Sequence, residues 1–132
     1  MLPDARLSEA AHLLASTEAS DIMVADDEGI LVGVLSEGDI IRAVLPDVEE
    51  IRSAGGSVHD ALRAFERKAS TLAGATITRL VITNPLTIAP DDHLAAVAAV
   101  MIANQIRRLP VVEDGRLVGT VSRSDVCRVL LR

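Results

Sequence analysis

Ser122 and Asp125 stand three residues apart at the end of an apolar run, with Arg123 between them and Arg107 and Arg108 just upstream. A serine in this position offers its oxygen to an orphan N–H of a helix's first turn. A helix start beside guanidinium groups also attracts anions, phosphate above all. Two readings are therefore open. Ser122-x-x-Asp125 is a self-contained cap, or it is the floor of a site for a phosphorylated ligand. The reciprocal capping box prefers the longer Glu or Gln, and Asp is short for reaching back. That favours a ligand role for Asp125, although an acid in a first turn also suits the helix dipole.

The elements that must hold these groups read directly from the flanking residues. Val111-Val112 is a short β-branched strand entered through Pro110. Glu113-Asp114-Gly115 is turn chemistry, and Leu117 to Val121 is a second apolar strand. The helix then opens at Ser122.

The same skeleton occurs earlier in the chain. Gly29, Leu31, Val32, Gly33, Ser36 and Asp39 match Gly115, Leu117, Val118, Gly119, Ser122 and Asp125, after one extra turn residue at Glu28. Upstream, Leu7, Ala10, Ala11 and Leu14 match Leu94, Val97, Ala98 and Met101, each set the apolar stripe of an amphipathic helix. Asp4 and Asp91 are the expected N-caps. The unit is helix, strand, strand, helix, and one copy alone is too small to bury its faces, so the two are expected to pack as one domain. The mid-strand Gly33 and Gly119 suit close backbone approach.

Residues 46–80 form a helical connector between the copies. Asp47 to Arg52 predicts a short helix stopped by Gly55-Gly56. Ser57, with Asp60 three residues on, caps a longer one whose apolar edge is Leu62, Phe65, Ala69 and Leu72, and which Gly74 ends. Its outer face, Arg63, Glu66, Arg67 and Lys68, is expected to be solvated. Thr78 to Val81 predicts a last short helix, Asn84-Pro85 a turn, and Leu86-Thr87-Ile88 a strand before Pro90.

The run from Leu109 to Asp125 resembles the signature of a cystathionine-β-synthase (CBS) domain, and the paired copies resemble a CBS pair, or Bateman module. The resemblance covers nearly the whole chain, least typically in the connector. It implies an α/β fold of two βαββα repeats packed pseudo-symmetrically. Repeat 1 is then 1–45, with its N-terminal strand short or missing, and repeat 2 is 81–132. It implies a non-catalytic regulatory module, usually a homodimer, taking an adenosyl ligand in the cleft between repeats. AMP, ADP, ATP or S-adenosylmethionine are the ligands in view. By that resemblance Asp125 takes the ribose, and Ser122 and Arg123 lie near phosphate with Arg107 and Arg108 as further cations. Ile106, Arg107, Arg108, Leu109 and Pro110 line the base pocket, joined by Pro85, Leu86 and Thr87. Asp39 and Ser36 are the matching, weaker second site: Ser20, Asp21 and Glu37 replace the arginines there, and Glu37 repels phosphate.

Other classes find little support. The formal net charge of -6 and 1% aromatic content speak against nucleic acid and membrane surfaces as partners. No apolar run is long enough to span a bilayer, and the N-terminus does not read as a signal peptide. The single cysteine, Cys127, excludes an internal disulfide, fits a reducing, cytoplasmic setting, and reads as a small core residue. His12, His59 and His93 lack metal-ligand spacing, and no catalytic motif is present. Any output is expected to pass through an effector protein not identifiable from the sequence. The rival reading is a dimerisation or docking module with empty pockets, in which Asp39 and Asp125 are caps.

Overall fold

The computed structural model describes residues 1–132. In chain order its elements are α1 (Leu7–Thr17), β1 (Asp21–Ala25), β2 (Leu31–Ser36), α2 (Glu37–Val44), α3 (Val48–Ser53) and α4 (Val58–Ala73). A 3-10 turn (Ile77–Arg79) follows, then β3 (Ile82–Thr83), α5 (Leu94–Ala103), β4 (Arg108–Glu113), β5 (Arg116–Ser122) and α6 (Arg123–Leu130). The repeat is visible in the elements themselves. Both α2 and α6 are eight residues long and start one residue after the matched serine.

Contacts divide the chain into two units, one of 3–22 with 35–81 and one of 23–34 with 82–132. In the first, Leu7, Ala10, Leu14, Ile22, Leu35, Ala64 and Ile77 are buried. The start of α1 is tied to the end of the connector: Leu7 N–H donates to Ala75 O at 2.9 Å, and Ile77 N–H to Ala5 O at 2.9 Å. In the second unit, Ile88, Val97, Met101, Leu109 and Val126 form the core. There β4 and β5 pair antiparallel from Arg108↔Ser122 to Glu113↔Arg116, with an irregularity at Val111/Val112. Asp114 and Gly115, at φ 51° and 80°, make the turn, a position where both central residues need positive φ.

Several expectations shift. Neither Asp4 nor Asp91 caps a helix: α1 starts from Arg6 and α5 from His93, whose Nδ1 accepts the Ala95 N–H at 3.1 Å. The proline-led turns run further than read, and it is Asp92 whose carboxylate closes the second of them on Ala89 N–H at 2.8 Å. Ala11 faces solvent rather than the apolar stripe. The connector's last helix is the tighter 3-10 turn over Ile77–Arg79. Leu86 and Thr87 belong to no strand. Ile88 alone bridges Val111 in parallel, and the paired strand is β3, with Gly33↔Thr83 and Val34↔Ile82. Pro85 and Pro90 each lack an N–H, which limits a ladder between them.

Two side-chain placements are also corrected. Cys127 is exposed because α6 turns the adjacent Val126 to the core. The expected apolar edge of α4 is largely uncovered: Leu62 is 58% and Phe65 36% exposed, while the small Ala64 is buried. Lys68, expected in solvent, instead pairs with Glu50 at 2.7 Å. Of the two mid-strand glycines, Gly33 is buried and Gly119 exposed.

Candidate functional site

Ser122 ends β5 in an extended conformation (φ −100°, ψ 165°) and caps α6. That geometry turns its N–H toward the first turn, where Asp125 Oδ2 accepts it at 2.8 Å, while Ser122 Oγ accepts Asp125 N–H at 3.1 Å. The capping box is therefore complete. The expectation that Asp is too short to reach back is overturned, and chain length no longer argues for a ligand. What remains is the carboxylate's spare capacity. A carboxylate has about four acceptor directions. The Ser122 N–H takes one, and Arg128 Nη2, at 3.1 Å from Oδ1, takes another. The Ser122 N–H first, then its hydroxyl, hold the Asp125 carboxyl below the ordinary carboxylate value. Arg128 and Arg108 reinforce this against slight desolvation. Asp125 is thus an ionised acceptor with 38% of its side chain still exposed.

The arginines gather around this helix start through the hairpin. Arg108 pairs across the ladder with Ser122 and donates from Nη1 to Thr120 Oγ1 at 2.9 Å. Arg123 N–H donates to Arg107 O at 3.0 Å and its Nε to Ile106 O at 2.9 Å, so its guanidinium is pinned to the segment leading into β4. Arg107 itself is exposed. Ile106 rests half-buried on the core. Leu109 and Pro110 are fully buried, so their side chains serve the fold more than a ligand face. Leu86 and Thr87 are exposed and approach this segment through Ile88, whose N–H donates to Pro110 O at 3.0 Å. Arg128 and Thr120 were missed from the sequence. Asp125 and Arg128 are one helical turn apart, a spacing that pairs opposite charges.

The first copy reproduces the frame and not the charge. Glu37 N–H donates to Ser20 O at 2.9 Å, the counterpart of the Arg123 to Arg107 bond. Ser36 Oγ–H donates to Asp39 Oδ2 at 2.8 Å and accepts Asp39 N–H at 3.1 Å. Burial raises the Asp39 carboxyl, but hydrogen bonds from Ser36 and Arg42 outweigh it and leave it lowered. Its side chain is 19% exposed, half that of Asp125. Asp21 and Glu37 stand where the second copy has Arg108 and Arg123. Two clefts open elsewhere in the helical unit. One of about 250 Å³ lies between α1 and α2, lined by Ala11, Leu14, Ile40 and Ile41. The other, of about 570 Å³, lies between α3 and α4 beside Glu50, Arg67 and Lys68. No group of three or more His, Cys, Asp or Glu converges to hold a metal, and no helix is long and apolar enough to cross a membrane.

Comparison with known proteins is consistent across sequence and structure. The CBS domain model matches residues 2–46 and 75–132, more than half of the chain. An uncharacterized protein of Methanocaldococcus jannaschii is 30% identical over 97% of this chain and 83% of its own length. The chloroplastic CBS domain-containing protein CBSX2 of Arabidopsis thaliana is 27% identical over 98% of this chain, which spans 57% of that relative. The crystal structure of CBSX2 in complex with AMP superposes with a TM-score of 0.74 at 26% identity, covering 99% of this chain and 85% of that one. A CBS domain pair in complex with 5′-methylthioadenosine and S-adenosyl-L-methionine superposes with a TM-score of 0.69 at 25% identity, covering 98% and 87%.

Proposed function

This chain belongs to the CBS domain family, and we propose that it is a non-catalytic regulatory module that binds an adenine nucleotide or related adenosyl compound at the start of α6. The observation that carries the reading is the convergence there of an ionised, part-exposed Asp125 with Arg108, Arg123 and Arg128. Asp125 would accept both ribose hydroxyls through charge-assisted bonds, and the guanidinium groups would face a phosphate. Ser122, Ile106, Arg107, Leu86 and Thr87 complete the proposed repeat-2 site, with the buried Leu109 and Pro110 holding its backbone in place. The AMP complex of CBSX2 and the methylthioadenosine and S-adenosylmethionine complex of another pair support this ligand class. In repeat 1 the acids Asp21 and Glu37 leave Asp39 and Ser36 a weak site. The ligand regulates by favouring one shape of the module, to the extent that it binds the two shapes with different affinity. We place the protein in the cytoplasm as a homodimer that acts on an effector protein. The lone thiol supports the reducing compartment.

A second reading has its own support. The complete Ser122–Asp125 capping box gives these residues a purpose without any ligand, as a docking module with empty pockets requires. Thermal unfolding with AMP, ADP, ATP, NAD and S-adenosylmethionine in turn separates the two. A bound ligand at about 100 times its dissociation constant adds roughly 2.7 kcal/mol, several degrees in a domain of this size. Asp125→Ala is expected to abolish that shift, measured against its own ligand-free baseline, and Asp39→Ala to keep most of it. No shift with any of the five refutes the nucleotide reading.

A further inference from the structure

The connector helix α4 buries its small side and exposes its large one. Ala64 is 8% exposed and Lys68 is held by Glu50, whereas Val58 is 80%, Leu62 58% and Phe65 36% exposed. Besides the small Ala61, Ala64 and Ala73, α4 carries one apolar stripe, Val58, Leu62, Phe65, Ala69 and Leu72, spaced four, three, four, three. This alternation is the seam of a helix that packs along another helix. The helices α1, α2 and α3 of the same unit already contact α4. They leave Val58, Leu62 and Phe65 exposed and Ala69 and Leu72 half-buried.

We propose that the seam is the surface through which two copies of this chain pair, their α4 helices antiparallel. The proposal rests on the homodimeric part of the reading above and is independent of the ligand. The sequence of α4 is complementary to itself in that direction. With the two-fold axis beside Arg63 and Ala64, each Leu62 meets the partner's Phe65 and each Val58 the partner's Ala69, large against small. The flanking positions then set His59 opposite the partner's Glu66, twice by symmetry, a favourable pairing of an acid with a hydrogen-bond donor. A parallel, in-register pair instead stacks Phe65 on Phe65 and sets Glu66 against Ala61 and Lys68 against Ala73, with no charge complementarity. Two helices of 16 residues bury less than the ~800 Å² per partner of a standard interface, so the association is concentration-dependent.

Sedimentation equilibrium of the full chain across a dilution series tests this. The wild type is expected to approach twice 13.9 kDa as concentration rises, and Leu62→Glu to stay at 13.9 kDa while still unfolding in one cooperative thermal transition. Glu66→Arg is expected to weaken the dimer, and adding His59→Glu to restore it, which keeps the test valid should Leu62→Glu fold poorly. On a Cys127→Ser background, His59→Cys and Glu66→Cys chains should form a disulfide when mixed and not when oxidised separately. Cross-linking of either chain alone overturns the antiparallel arrangement. A dimer that survives both Leu62→Glu and Glu66→Arg overturns the α4 surface and leaves the dimeric reading standing, whereas a monomer at every concentration overturns both.

Discussion

At the start of α6, Asp125 accepts the Ser122 N–H and faces Arg128, so removing its charge weakens a capping bond and removes an ion pair together. The ion pair contributes little by itself, since Arg128 is 73% exposed. The capping bonds matter more, and Ser122→Ala is expected to cost about 1 kcal/mol of stability by chemical denaturation. The pH dependence has a definite sign. The Asp125 carboxyl is held below the ordinary carboxylate value in the folded protein, chiefly by the Ser122 N–H. Its contribution is therefore complete above that unfolded value and is lost as pH falls through the lower, folded one. The stability gap between wild type and Asp125→Asn should accordingly be constant near neutrality and close in acid below about pH 4. A gap that widens in acid would contradict the assignment. Ser122 and Asp125 were legible in the sequence because a cap is a local pattern. The reach of the Asp125 side chain was not, because it depends on the extended backbone at Ser122, which residue spacing does not reveal.

At the scale of elements, turns and caps share residues, and glycine substitutions separate their contributions. Gly115, at φ 80°, has room for a methyl group, with Ile30 Cδ1 at 3.8 Å as its nearest neighbour. Gly115→Ala is expected to cost only the left-handed penalty, about 1–2 kcal/mol. Gly55, at φ 124°, is different: an added Cβ meets Asp60 Oδ2, the carboxylate oxygen that accepts the Ser57 hydroxyl at 2.7 Å. Gly55→Ala should therefore cost more than Gly115→Ala, because Asp60 must leave the cap of α4 as well. Comparing the two midpoints in urea checks the order. The starts of the matched helices α2 and α6 could be read from the repeat, at Ser36 and Ser122. The packing of α4 could not, since both its alanine side and its heptad seam are apolar and sequence alone does not say which faces inward.

For the whole molecule, the two copies share a backbone frame and differ in charge, so ligand chemistry should discriminate between them. Of the arginines that would meet a phosphate, Arg107 and Arg123 are exposed and Arg108 half-buried, and salt screens exposed charges most. Raising ionic strength is expected to shrink the thermal shift given by ATP while leaving one from 5′-methylthioadenosine, which has no phosphate, nearly unchanged. Equal loss for both would place the recognition away from Arg108 and Arg123. The duplication was plain from identical residues at a fixed offset. The division into units was not, because each unit joins stretches far apart in the chain.

That discontinuity bears on how the protein comes into being. The first helix, with its buried Leu7, Ala10 and Leu14, is anchored by Ala75 and Ile77. On a ribosome adding roughly 5–20 residues per second, α1 leaves the exit tunnel seconds before those anchors exist. Hairpin β4–β5, by contrast, closes across a two-residue turn and draws its ladder from no distant segment. The half that is synthesised first is thus the half that must wait, and its apolar stripe is what a nascent-chain chaperone would meet.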